Sequence, residues 1–112
     1  VLGRPAIEEI PEAREGEASF YGEGYRGRRT ASGQLYDPDG MSCATNDWPL
    51  GTWLVVEHEG LSIVVRVNDR GPSIAPRKRI IDLSQAAFGR LASHRRGIIP
   101  VKVRPATRVK GE

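Results

Sequence analysis

Side chains able to act as nucleophiles or metal ligands are few in this sequence: one cysteine, Cys43, and two histidines, His58 and His94. A thiol nucleophile needs a neighbouring base to take its proton, and no histidine stands near Cys43 in the chain. One thiol and two distant imidazoles do not make a zinc site. A lone cysteine also excludes an intrachain disulfide. Cys43 therefore reads as a small buried hydrophobe, and the residues call for neither a metal nor a cofactor. Carboxylates are the remaining source of chemistry. Asp69 precedes Arg70-Gly71-Pro72, where an aspartate commonly fixes a turn by accepting bonds from the backbone. Asp82 stands just ahead of a helical pattern, where exposed amides and the helix dipole favour an acid.

The elements that must position these groups are mostly strands. Residues 1–16 carry Glu, Pro and Arg without periodicity and read as a flexible arm. Regular structure is expected near Glu17 to Tyr21. A long loop follows from Gly22 to Gly40, and loops of that length are usually functional or disordered. Thr52 to Glu57 is rich in β-branched and aromatic residues. Leu61 to Asn68 alternates, with Leu61, Ile63, Val65 and Val67 on one face and Val64 interrupting the polar one. Two such runs around His58-Glu59-Gly60 predict a hairpin, which Gly71-Pro72 terminates. Arg79 to Ile81 predicts a short strand, and Ser84 caps a helix from Gln85 to Ala92 with Ala87, Phe88 and Leu91 as its apolar stripe. Ile98 to Arg104 alternates as a last strand, and residues 105–112 read as a frayed tail. Short strands with one helix point to a closed or nearly closed barrel, here over residues 17–104.

The chain has 112 residues, enough for one domain and one modest core. No apolar run approaches the ~20 residues that span a bilayer. The chain opens at Val1 without a signal-like apolar region, which says nothing about compartment. A net charge of +3 favours anionic partners. The basic residues are scattered, however, with no basic helix and no aromatic-interleaved patch, so nucleic-acid binding is not expected.

Four segments together resemble the rare lipoprotein A (RlpA) family, which is similar in turn to expansin and barwin domains. They are ASFYGEGYRGRRTASGQLYD from Ala18, PLGT from Pro49, VRVNDRGP from Val65 and RIIDLSQAAFGRLA from Arg79. The resemblance implies a mostly β fold, a six-stranded double-psi β-barrel with one short helix. It also implies a place in the cell envelope and action on peptidoglycan glycan strands as a lytic transglycosylase; a monomer is expected. A lipid anchor and a glycan-binding repeat accompany many members. In that reaction a carboxylic acid protonates the glycosidic oxygen and the sugar's own 6-hydroxyl closes an anhydro ring.

By this resemblance Asp69 matches the catalytic aspartate, and Asp82 matches the groove aspartate of expansin-like domains. Both keep their structural alternatives, a turn for Asp69 and a cap for Asp82. Gln34 stands in TASGQ where active members carry Glu, as in TANGE. Thr45 stands where a TAAH segment carries His. A carboxamide cannot exchange a proton at physiological pH, and a threonine cannot do a histidine's acid–base work. Asp37, Asp39 and Glu23 are loop carboxylates that could swing toward Asp69. Aromatic faces stack on sugars, and Tyr25 and Trp48 are the platform candidates, with Tyr21 and Tyr36 also available. Trp53 reads as core or barrel surface. Thr30, Arg28, Arg29, Gln34, Tyr36, Asp37, Thr45 and Arg70 are the further substrate-binding candidates. Three functions stay open: a lytic transglycosylase, a glycan-binding module without cleavage, and a protein-interaction scaffold.

Overall fold

The computed structural model describes residues 12–72 and 78–106. Its strands are β1 (Arg14–Phe20), β2 (Ser42–Ala44), β3 (Trp53–His58), β4 (Leu61–Asp69), β5 (Arg79–Leu83) and β6 (Ile99–Pro105), with helix α1 (Gln85–Leu91) between β5 and β6. They close in the order β1-β5-β2-β4-β3-β6. The β1–β5 and β2–β4 pairs are parallel and the other pairs antiparallel. This is the six-stranded double-psi barrel with one helix. Every described strand thus has a paired neighbour on each side. Among the described residues no helix is long and apolar enough to cross a membrane.

Each element follows from local chemistry. Glu59 and Gly60 turn the β3–β4 hairpin with φ of 47° and 86°, the positive angles that a tight two-residue connection requires. Ile63, Val65 and Val67 point into the core while Val64 faces water. Leu61, expected on the inner face, lies exposed at the hairpin end. Ser84 caps α1 as read, its Oγ accepting from the Ala87 amide at 3.1 Å while donating to the Gly40 carbonyl at 2.6 Å. Ala87, Phe88 and Leu91 are buried beneath the helix. Cys43 is buried too, and burial drives its thiol pKa well above the ordinary range.

Several elements differ from the sequence reading, most of the strand ends by a residue or two and β5 by its extension to Leu83. β1 opens at Arg14, ahead of the expected Glu17, because Glu15 and Gly16 pair with Lys102 and Val101 on β6. Gly16 fits there because a Cβ would meet the Lys78 carbonyl at 2.7 Å. β2 is a strand of three residues, too short to show an alternation. The Gly22–Gly40 loop holds a 3-10 turn at Glu23–Tyr25 and a bridge between Arg29 and Leu35. The remainder of the expected arm (residues 1–11) and most of the tail (residues 107–112) lie outside the described residues.

The core is the barrel interior, where Leu54, Val56, Val65, Val67, Ile81, Leu83, Ile99 and Val103 are sealed from water with Trp48 and Phe88. Each such aliphatic side chain stabilises by roughly 1.5–3 kcal/mol. Because Ser84 joins helix, loop and strand end at once, Ser84→Ala should cost about 1–2 kcal/mol. Urea denaturation followed by circular dichroism checks this.

Candidate active site

The strand register sets the two aspartates on either side of β2. β2 lies between β4 and β5, and Ala44 pairs with Asp69 on one side and Asp82 on the other. Two strand spacings separate their backbones, roughly 10 Å. Tyr21, which follows β1, lies close enough to feel both charges. Its phenol pKa is driven far above the ordinary value, first by burial, then by the Asp69 carboxylate, then by Asp82.

The environments of the two carboxylates differ. Asp69 Oδ1 accepts from the Ala31 amide at 2.9 Å and the Arg70 amide at 2.8 Å. The turn-fixing role is therefore present. Asp69 nevertheless also lines an open cleft of ≈ 150 Å³ with Tyr21, Tyr25, Arg28, Arg29 and Thr30. Asp82 is half-buried and accepts from Ser19 Oγ. Burial raises its pKa, opposed by the Ser19 bond and then by Arg79. Asp82 does not cap α1, since Ser84 does.

Tyr25 lines the cleft with an exposed ring. It is 47% exposed, its ring centroid lies 5.4 Å from that of Tyr21, and the Arg28 guanidinium sits 5.4 Å over it. Thr30 reaches the cleft, but its hydroxyl is committed to the Gln34 carbonyl at 2.7 Å. Gln34 faces a second hollow, its Oε1 accepting from Asn68 Nδ2 at 3.2 Å. Asp37 borders that same hollow and caps the Asp39 amide at 3.0 Å.

Four other candidates turn out to hold the fold. Trp48 is 1% exposed and belongs to the core, so it offers no sugar platform. Thr45 is 0% exposed, its hydroxyl donating to the Ile80 carbonyl at 3.0 Å and accepting from the Asp47 amide at 3.2 Å. Arg70 directs Nη1 at the carbonyls of Thr45 (2.8 Å) and Trp48 (2.7 Å). It ties a loop there instead of presenting its charge beside the Asp69 carboxylate. Tyr36 also lines the Asp69 cleft, though it is 4% exposed, its hydroxyl donating to the Tyr21 carbonyl and accepting from the Gln85 amide, each at 3.1 Å. Glu23 and Asp39 do not swing toward Asp69, because Arg26 pairs with both.

Tyr21 and Ser19 are the residues that sequence reasoning undervalued. Both stand in the ASFY segment, whose strand character was visible but whose partner across the barrel was not.

A sequence profile of the lytic transglycolase family matches residues 13–103. The chain belongs to this RlpA-like family. A probable endolytic peptidoglycan transglycosylase RlpA of Nostoc sp. is 43% identical over 93 residues, covering 80% of this chain and 24% of that protein. The Campylobacter jejuni endolytic peptidoglycan transglycosylase RlpA is 35% identical over 101 residues, covering 88% of this chain and 36% of that protein. The chain thus spans about a quarter to a third of these RlpA relatives. Among solved structures, Streptomyces papain inhibitor (SPI) superposes with a TM-score of 0.72 at 30% identity, covering 88% of this chain and 100% of that one. Apo-expansin of Clavibacter michiganensis superposes with a TM-score of 0.69 at 25% identity, covering 88% of this chain and 52% of that one.

The raised Asp82 pKa has a consequence for stability in this RlpA-like barrel. Between the unfolded and folded values the native state binds more protons than the unfolded chain, so stability falls as pH rises through that window. Asp82→Asn should therefore flatten the decline from acid to neutral pH and raise the neutral-pH urea midpoint, as urea melts across that range would show.

Proposed function

We propose that the domain acts in the cell envelope, as a monomer, on peptidoglycan glycan strands, and cleaves them as a lytic transglycosylase. The single observation behind this reading is the pairing of Ala44 with both Asp69 and Asp82 beside an open, tyrosine-walled cleft. Family membership supplies the reaction class. Asp69 is the carboxyl that lines the cleft, and it takes the acid–base role. It protonates the glycosidic oxygen as the bond from C1 breaks, then accepts the proton of the 6-hydroxyl as that oxygen closes on C1. No water is consumed. Asp82 is the assisting carboxyl. Its burial favours the neutral form, which can donate a hydrogen bond. Tyr25 offers a face to the sugar, and Arg28 and Arg29 offer donors to its polar rim.

A second reading, a groove that holds glycan without cutting it, is favoured by one position. Gln34 stands where active members carry Glu, and its oxygen is already engaged by Asn68. Incubation with purified peptidoglycan and mass spectrometry of released fragments separates the two. Cleavage yields anhydro-ended fragments, and Asp69→Asn should lower their release by about 100-fold or more. Gln34→Glu should raise release by about tenfold or more, by restoring a second group able to exchange a proton. Retention of the domain on peptidoglycan with no anhydro ends released, from either the natural chain or Gln34→Glu, would establish the binding groove instead.

A further inference from the structure

Trp53 on β3 pairs directly with Arg66 on β4, so both side chains leave the barrel wall on its outer face. The Arg66 guanidinium lies 5.2 Å from the Trp53 ring centroid. Arg66 Nε also donates to the Gly51 carbonyl at 3.4 Å, which helps fix the cation. Trp53 still leaves 49% of its surface to water. Beside it opens a hollow of ≈ 260 Å³, walled further by Leu35, Met41, Gln34 and Asn68. Leu35 is itself 56% exposed. Large apolar side chains left in water around a concave surface, with polar groups converging on it, mark a binding site.

The neighbouring cleft identifies what reaches this hollow. Asn68 lines the hollow and Asp69 lines the cleft, and consecutive Cα atoms lie about 3.8 Å apart. Thr30 borders the cleft and Gln34 the hollow, yet the Thr30 amide donates to the Gln34 carbonyl at 2.8 Å. One loop therefore forms a shared wall, and a polymer lying in the cleft passes over that wall into the hollow. The hollow's chemistry matches the polymer. The Trp53 ring and Leu35 offer an apolar platform for the C–H face of a pyranose. The Gln34 oxygen is spent on Asn68 Nδ2, which leaves the Gln34 amide as a donor and the Asn68 carbonyl as an acceptor for an acetamido group.

The geometry points to a second sugar subsite at Trp53, which holds an N-acetylated hexosamine of the same strand further along from the unit at Asp69. The subsite deepens the glycan reading of the Asp69 cleft and rests on it. It performs no proton transfer, a task for which Gln34 is unfit; it holds the strand.

The test titrates β-1,4-linked N-acetylglucosamine oligosaccharides, from the disaccharide upward, into the domain. Calorimetry reads affinity, and acrylamide quenching of tryptophan fluorescence reads Trp53, since Trp48 is buried. Longer oligosaccharides should bind about tenfold tighter than the disaccharide, 1.4 kcal/mol, and should shield Trp53 from the quencher. Trp53→Ala should erase this dependence on length while disaccharide binding stays, and Trp53→Phe should recover most of it. If folded Trp53→Ala retains the full length dependence while Tyr25→Ala weakens every oligosaccharide, the subsite is overturned and the cleft reading stands. Failure of every oligosaccharide to bind the natural domain would overturn both.

Discussion

The backbone pairing of Ser42–Ala44 is the contact on which the rest of this molecule depends. Short as it is, β2 is held on both flanks. The Arg66 amide donates to Met41 at 3.2 Å, the Thr45 amide to Asp69 at 3.1 Å, and the Ser84 amide to Ser42 at 2.9 Å. Without it β4 and β5 would each present an unpaired edge, which proteins avoid because edges recruit other strands. The barrel would open where Asp69 and Asp82 now flank Ala44. Fold and candidate site thus share one seam.

Several side chains that a ligand-based reading assigns to substrate serve this seam. Thr45 reaches from the end of β2 to the Ile80 carbonyl on β5. Arg70 leaves the end of β4 for the carbonyls of the loop that follows β2. Tyr36 staples the long loop to the start of α1 and to the backbone after β1. A buried carbonyl without a donor costs about 1–3 kcal/mol. In a barrel joined by so short a strand these ties contribute directly to closure. Thr45 thereby holds backbone together at the carboxylate side of the seam.

The two aspartates stand in unlike surroundings. Desolvation acts on Asp82 and favours its neutral form, while Asp69 stands in the open cleft, oriented by two amides. Tyr21 feels both charges, and its half-buried phenol resists ionisation.

The hairpin of β3 and β4, the Ser84 cap, the apolar stripe of α1 and the burial of Cys43 were legible in the residues. Each depends on neighbours in the chain or on hydrophobic spacing alone. The family resemblance carried the barrel and drew attention to Asp69 and Asp82. The tertiary structure alone decided β2, because three residues carry no periodicity and their pairing partners lie more than twenty positions away. It alone decided that Trp48 and Thr45 turn inward, that Arg70 serves backbone, and that Tyr21 feels both carboxylates. It also left Trp53 outside, facing water. Which way a side chain points, and what it meets there, depends on how distant strands register around a closed barrel. Residue type and local spacing do not contain that information.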